Sequence, residues 1–163
     1  MTNESAATSP LEGQKRGRVI AMDKAELDEF LTNERTVRMA TVNKHGQPHV
    51  TALWFVWDGE AMWVNSVVKS RRWADFEQRP DVSALVDAGH DYSELQGAEL
   101  IGPVEIVADD VDTDAIGRMF SQKYRGGEPF VQDKWHRWIR VVPTKVVSWD
   151  FRKLPDAKKK PGH

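Results

Sequence analysis

One segment of the sequence combines the residue types that bind an anion. It runs Asn65-Ser66-Val67-Val68-Lys69-Ser70-Arg71-Arg72-Trp73 and joins a predicted strand to a predicted helix. Arginine offers bidentate hydrogen bonds to phosphate oxygens, and the free N–H groups at a helix start also favour an anion. The same three cations fit a solvated surface loop, which is how most charge runs are found. Charge alone therefore favours a solvated loop and leaves a phosphate site as the alternative.

Other chemistry is poorly represented in the sequence. There is no cysteine, so thiolate catalysis, disulfides and cysteine-ligated metal sites are excluded. The chain has neither a GxSxG nucleophile motif nor the glycine-rich motifs GxxxxGKS/T and GxGxxG. No histidine has a metal-ligand spacing such as HExxH, and we predict no bound metal. His49, at the start of a long strand, is a candidate to face a ligand.

The composition is that of one globular domain with loose ends. The chain has 163 residues, of which 40% are hydrophobic and 29% charged, with a formal net charge of -2. This balance disfavours a generally basic nucleic-acid binder. No apolar run approaches the roughly 20 residues that cross a bilayer, and the N-terminus lacks the apolar core of a secretory signal. We therefore predict a cytoplasmic domain over residues 19–154 between a disordered tail, 1–18, and a flexible tail, 155–163.

Periodicity and turn signals predict many strands and few helices. Asp23 and Glu26 form a capping-box pattern, which predicts a helix that ends at Asn33. A short helix beginning at Trp73 and a helix capped by Asp112 follow. The predicted fold class is mainly β (α+β), a small barrel of six to seven antiparallel strands with two or three helices. The predicted strands are residues 36–42, 48–57, 61–66, 82–86, 95–107, 135–142 and 145–149.

The long strand at 48–57 is apolar on both faces. Val50, Ala52 and Trp54 alternate with Thr51, Leu53 and Phe55 along it. A strand of this kind is covered on two sides, and a small chain has too little material to cover both. We therefore predict a homodimer. The first three strands are predicted to form an antiparallel meander, with Asp58-Gly59 as the second turn.

The order of several short motifs resembles the pyridoxamine 5'-phosphate oxidase-like split barrels, in particular their flavin/deazaflavin (FMN- and F420-binding) oxidoreductases. The resemblance covers roughly residues 36–107, with weaker support to Trp149. Arg72 stands where the family often has lysine, so the cation is kept. The longer C-terminal region of true pyridoxamine-phosphate oxidases is missing, so vitamin B6 oxidase activity is not expected. The motifs are Gly46-Gln47-Pro48-His49, Ser70-Arg71-Arg72, the segment 79–86 (RPDVSALV) and the segment 97–105 (GAELIGPVE).

The resemblance implies a cofactor site between the long strand and the basic segment, in a groove at a dimer interface. The strand is implied to lie along an isoalloxazine-type ring, and the basic segment to hold the phosphate. Lys69 reaches the phosphate or a longer anionic tail, or points to water. The implied cofactor-binding residues are Thr51, Ala52, Leu53 and Trp54 along the ring, and Asn65, Ser66, Lys69, Ser70, Arg71 and Arg72 around the phosphate.

The function implied is that of an oxidoreductase using coenzyme F420, a deazaflavin, or alternatively FMN. Hydride would pass between the cofactor ring and a conjugated small molecule, while the protein orients both and excludes water. Lys69 beside Arg71 and Arg72 favours F420, whose tail is anionic. No side chain is an obvious catalytic acid or base, although Tyr92 is a candidate proton donor. The alternative is a non-catalytic protein of the same fold that stores or sequesters a flavin or haem.

Overall fold

The computed structural model describes residues 9–15 and 17–155, which form one antiparallel sheet of eight strands with three α-helices. This architecture confirms the predicted mainly-β split barrel. Among the described helices, none is long and apolar enough to cross a membrane. The strands are β1 (Thr36–Val42), β2 (Pro48–Trp54), β3 (Val56–Trp57), β4 (Met62–Val67), β5 (Asp81–Ala88), β6 (Gln96–Ile106), β7 (His136–Val141) and β8 (Lys145–Asp150), and the helices are α1 (Lys24–Asn33), α2 (Arg71–Gln78) and α3 (Asp114–Tyr124).

The predicted strand at 48–57 is broken at Phe55, and the predicted three-strand meander is wrong. β2 pairs with β1 and β3 pairs with β4, in the sheet order β2-β1-β5-β6-β7-β4-β3, with β8 paired to β6. The two halves of the predicted strand therefore lie at opposite ends of the sheet. Because Phe55 alone joins them, the sheet curls until its ends meet, and β2 approaches β4 without pairing with it. The extra break gives eight strands rather than six or seven.

The core fills the inside of this curled sheet and extends under two helices. Leu31 of α1, Met39 of β1, Phe55 and Leu100 of β6 are completely buried in it. A second apolar cluster lies outside the barrel wall, where α3 covers β4 and β7 through Ile116, Trp63 and Trp138. The described residues leave one face of β2 uncovered, since Val50 is 60% exposed and Trp54 51% exposed.

The first helix forms as its capping box predicts. The Asp23 carboxylate accepts a hydrogen bond from the Glu26 N–H at 2.9 Å, and the Glu26 carboxylate accepts one from the Asp23 N–H at 2.8 Å. These bonds satisfy N–H groups that no preceding helical turn can reach. Leu27, Phe30 and Leu31 lie on the buried face, as the spacing predicts. α1 thereby closes one side of the barrel.

The segment before α1 contacts the free edge of β8. The Val146 N–H donates to the Pro10 carbonyl at 3.1 Å, and Leu11 packs against the core. The Gln14 carboxamide accepts from the Ser148 N–H and donates to the Ser148 carbonyl, both at 2.9 Å. These contacts favour a domain boundary before Ser9 rather than at residue 18. Of the predicted tails, 1–18 and 155–163, the parts at 1–8, at residue 16 and at 156–163 lie outside the described residues, so the predicted domain division stays a prediction.

Candidate functional site

A groove of about 610 Å³ opens between β2, β4, the start of α2 and the middle of α3. The structure brings together here five of the residues predicted for the site: Ala52, Leu53, Trp54, Asn65 and Arg72. They come from two segments that the break at Phe55 places on facing sides. The groove is completed by Thr36, Val64, Val67, Phe120 and His136.

Arg72 is a buried cation at the wall of the groove. Its side chain is 8% exposed, and its Nε donates a hydrogen bond to Ser66 Oγ at 3.1 Å. Among the residues that the structure describes, no carboxylate forms an ion pair with it. Burial lowers the pKa of the guanidinium below its usual value, although arginine stays charged in proteins. A buried positive charge with one neutral partner favours an anion in the groove.

The other residues predicted around the phosphate divide into supporting and exposed ones. Ser66 is fully buried behind Arg72. Ser70 is the N-cap of α2, because its Oγ accepts from the Trp73 N–H at 3.4 Å and donates to the Val67 carbonyl at 2.8 Å. Lys69 and Arg71 are exposed, and the Lys69 Nζ lies 5.9 Å from the centre of the Trp135 ring. The solvated alternative therefore fits Lys69 and Arg71 but not Arg72.

Thr51 and Tyr92 do not line the groove. The Thr51 hydroxyl lies 3.0 Å from His49 Nε2, so these two side chains contact each other rather than the groove. Tyr92, a candidate proton donor from the sequence, stacks on Phe151 with ring centres 5.0 Å apart. No cluster of three or more His, Asp or Glu side chains within the described residues is arranged to bind a metal ion.

Aromatic rings of α3 support Trp54 at the groove. The Trp54 and Tyr124 rings stack with centres 4.5 Å apart and planes inclined by 10°, and Phe120 lies 6.0 Å from Trp54. The sequence places Phe120 on the apolar face of a helix but gives no sign of what that face covers. Half-exposed Trp54 on this support presents a flat apolar surface on which a planar ligand can stack.

His136 and the loop before it form the far side of the groove. No motif in the sequence predicts a role for them. His136 Nδ1 lies 2.8 and 2.9 Å from the two carboxylate oxygens of Asp133. Gln132 Oε1 accepts a hydrogen bond at 3.0 Å from Asn65 Nδ2, which fixes this loop to β4. The pairing of β7 with β4 sets Val67 opposite His136, so only the sheet order reveals the neighbourhood.

Tyr124 ties the aromatic support to the strand break. Its hydroxyl accepts from the Phe55 N–H at 3.0 Å and lies 2.7 and 2.8 Å from the carbonyls of Phe55 and Arg35. Burial raises the pKa of Tyr124 to about 12, so the hydroxyl keeps its proton.

We expect Tyr124→Phe to lower the free energy of unfolding by about 1–3 kcal/mol, because backbone groups lose their partner while the ring stack remains. Urea unfolding would measure this loss, and a change below about 0.5 kcal/mol would contradict it. Tyr92→Phe is the matched control, because the Tyr92 hydroxyl makes no hydrogen bond with the described residues.

Lys123 predicts a pH dependence of stability. Its Nζ donates to the Leu31 carbonyl at 3.1 Å and lies 4.1 Å from the centre of the buried Phe55 ring. Burial, and secondly the charge of Arg35, lower the pKa of Lys123 to about 8, while Glu34 opposes the shift. In the unfolded chain the pKa of a lysine is about 10.4. Between these two pKa values only the unfolded chain binds the proton, so the free energy of unfolding rises with pH in that range. Below the lower value both states are protonated, and the buried charge makes the folded state less stable.

The test compares the wild-type chain with Lys123→Met between pH 7 and pH 10. We expect the unfolding free energy of the wild type to rise relative to that of the variant as the pH increases from 8 to 10. Groups common to both proteins cancel in the difference. Parallel curves in urea unfolding would contradict the buried-lysine explanation.

The fold of this chain is that of a known protein family. A family model described as pyridoxamine 5'-phosphate oxidase matches residues 23–150, which span α1 to the end of β8. The chain belongs to the pyridoxamine 5'-phosphate oxidase-like family of split barrels. This family has flavin-binding members and oxidoreductases, and it also has members that are not enzymes. No curated protein matches the chain.

Several solved structures are similar to this chain in sequence and fold. A conserved hypothetical protein from Mycobacterium tuberculosis is 32% identical with a TM-score of 0.74, over 87% of this chain and 94% of that one. A protein named F420 reductase is 28% identical with a TM-score of 0.60, over 74% of this chain and 94% of that one. The haem storage protein HutZ from Vibrio cholerae is 18% identical with a TM-score of 0.65, over 77% of this chain and 93% of that one, and shares the fold.

Proposed function

We propose that this protein is an oxidoreductase that binds coenzyme F420, or alternatively FMN, in the groove beside Arg72. The observation that carries the proposal is the buried Arg72 guanidinium, which has one neutral partner among the described residues and lines a groove large enough for a planar ligand. A phosphate placed there would receive charge-assisted hydrogen bonds. The 28% identity to an F420 reductase supports the same cofactor class.

The residues of the chain would position the cofactor and exclude water from it. Arg72 would hold the phosphate with Asn65 beside it, while Ser66 fixes the guanidinium from behind. Ala52, Leu53 and Trp54 would lie along the ring system. When bound, such a cofactor supplies two-electron hydride chemistry to a conjugated small molecule. The chain itself contributes orientation and an apolar surface rather than a nucleophile.

The exposed cations favour F420 over FMN. Lys69 and Arg71 flank Arg72 in sequence and remain in solvent, where they are available to an anionic tail that extends beyond the phosphate. FMN ends at its phosphate and would leave both unused. Exposed ion pairs each contribute little, so we expect a preference of a few-fold rather than an absolute selection.

Titration of the purified chain with F420 and with FMN tests the proposal. We expect binding of one or both at micromolar concentration, with F420 tighter, followed by oxidation of the reduced cofactor when a conjugated acceptor is added. Binding of neither cofactor would refute the proposal. Binding without turnover over a panel of acceptors would favour the alternative, a storage protein, and a haem absorbance band in the isolated protein would identify that ligand class.

We further propose that the protein works as a homodimer in the cytoplasm. Val50 and Trp54 form an exposed apolar stripe along β2, the strand at one end of the sheet order. A second copy of the chain would cover this stripe. We expect light scattering to give the mass of a dimer across micromolar concentrations. A Val50→Lys variant should shift the equilibrium toward the monomer, because a charge in an apolar interface is costly. A wild-type monomer throughout that range would contradict the dimer.

A further inference from the structure

The histidine at the groove has one ring nitrogen occupied and one available. His136 Nδ1 is bonded to Asp133, whereas Nε2 makes no hydrogen bond with any residue between 17 and 155 or in 9–15. The side chain lines the same groove as Arg72, and its exposed fraction of 34% lets a ligand reach it. His136 and Arg72 therefore stand on one cavity, each with hydrogen-bonding capacity that the fold does not use.

Asp133 is fixed in place to orient this ring. Its Oδ1 accepts hydrogen bonds from the backbone N–H groups of Trp135 at 2.7 Å and of His136 at 2.9 Å. The hydrogen bond from the His136 ring, and then those from the backbone, lower the pKa of the Asp133 carboxyl. An ionised carboxylate on Nδ1 keeps a proton on that nitrogen. The state of Nε2 then decides whether His136 offers a lone pair or a positively charged N–H.

Several charged groups favour or oppose protonation of His136 at Nε2. Asp133 favours the imidazolium, while Arg72 in the groove opposes it. Lys69 and Lys134 lie over the neighbouring Trp135 ring and oppose it more weakly from solvent. Arg137 and Asp109, on the far side of His136, form an ion pair at 2.7 Å and largely cancel each other.

We propose that His136 is a proton-linked contact for the phosphate of the ligand, which it binds as the imidazolium opposite Arg72. A neutral ring with its proton on Nδ1 would turn a lone pair toward the phosphate oxygens, and the two would repel. A phosphate dianion between Arg72 and His136 removes the repulsion between the two cations and stabilises the added proton. Binding of the dianion is therefore accompanied by proton uptake at Nε2. The proposal rests on the proposed function only for the identity of the phosphate-bearing cofactor.

The sign of the pH dependence follows from this linkage. Because the bound form holds the proton more tightly, affinity is highest at low pH and falls as the pH rises through the titration of the bound form. We expect the titration midpoint of the His136 ring to rise when the phosphate binds. FMN is a dianion above about pH 7, since a phosphate monoester loses its second proton near 6. We therefore expect FMN binding to weaken about threefold between pH 7 and pH 9.

The first experiment uses inorganic phosphate and reads the histidine directly. The ring signals of the full-length protein are followed by NMR against pH in phosphate and in chloride at equal ionic strength, with His136 assigned by His136→Gln. We expect the midpoint of His136 to rise in phosphate, and that of the exposed His90 to stay unchanged. Equal midpoints for His136 in both salts would overturn the proposal, whether or not any cofactor binds.

The second experiment uses FMN and F420 titrations at pH 7 and pH 9. The wild type and His90→Gln should lose affinity with rising pH, whereas His136→Gln should bind more weakly at pH 7 and show no such loss. Asp133→Asn keeps an oxygen for the two backbone N–H groups and removes the charge, so it should lower the affinity at pH 7 only. Riboflavin, which has no phosphate, should bind independently of pH. Tight FMN binding with the same pH dependence in His136→Gln would overturn the inference and leave the proposed function intact, whereas failure of both cofactors to bind would refute the proposed function.

Discussion

Replacing Arg72 with alanine is expected to weaken binding of FMN and F420 about 10- to 100-fold. A hydrogen bond between a guanidinium and a phosphate contributes roughly 1.5–3 kcal/mol, and each 1.4 kcal/mol is about a factor of ten in affinity. No other described side chain of the groove wall is a buried cation, so no equivalent group replaces the guanidinium. Fluorescence titration of both cofactors measures the loss.

Two further variants separate the charge of Arg72 from its packing. Arg72→Met keeps most of the buried stem and should lose as much affinity as alanine, while Arg72→Lys should recover part of it because the charge stays and the fork is lost. The melting temperature of the free protein should change little in Arg72→Met, since Ser66 is the one hydrogen-bond partner of the guanidinium in the part of the chain that the structure describes. Unchanged affinity for both cofactors in a folded variant would remove the main support for the proposed site.

Substituting alanine for Gly97 is expected to destabilise the fold by about 3 kcal/mol, at the upper end of what overpacking of a core costs. Gly97 of β6 pairs with Trp149 of β8, and the indole ring lies across the glycine. A Cβ atom at this position would lie 2.2 Å from Cζ2 and 2.4 Å from Cε2 of that ring. The ring is rigid, so either the strands separate or the indole leaves its site.

Urea unfolding of Gly97→Ala, with Gly13→Ala as the control, tests this expectation. A Cβ at Gly13 meets only the Pro10 carbonyl oxygen at 4.0 Å, so that variant should be near neutral. In a double-mutant cycle, Trp149→Leu should remove much of the added cost of Gly97→Ala, because the obstructing ring is gone. A loss below about 1 kcal/mol in Gly97→Ala would mean that the ring moves aside easily.

Local signals in the sequence predict the elements that depend on local interactions. The capping box at Asp23 sets the start of α1, and simple alternation sets β1 at residues 36–42. The break at Phe55 has no such signal, because apolar alternation continues through it on both faces. Its position depends on two partner strands, β1 and β4, that lie at different ends of the sheet. Tertiary pairing, not propensity, decides where that strand ends.

The basic segment of the site is visible in the sequence, while its geometry is not. Residue types alone identify Arg72 as an anion-binding candidate, but they cannot distinguish its burial from the exposure of Arg71 next to it. His136 is missed for a different reason. It follows Arg72 by more than sixty positions and reaches the groove only through the pairing of β7 with β4. A pattern search within a short window cannot detect a neighbour of that kind.

The break at Phe55 also fixes the order in which the chain can complete its fold during synthesis. The β1–β2 and β3–β4 pairs are local and are available as soon as residue 67 has been made. Each pair still has an unpaired edge at that stage, because β1 also pairs with β5 and β4 also pairs with β7, and both partners are made later. The pairing of β4 with β7 is the one that sets Val67 opposite His136. Non-local pairings of this kind are slow, since a long loop must close before any contact rewards it. A nascent chain that stops before His136 thus leaves β4 without its second neighbour, and its unpaired edges are exposed to other chains until the last strands emerge.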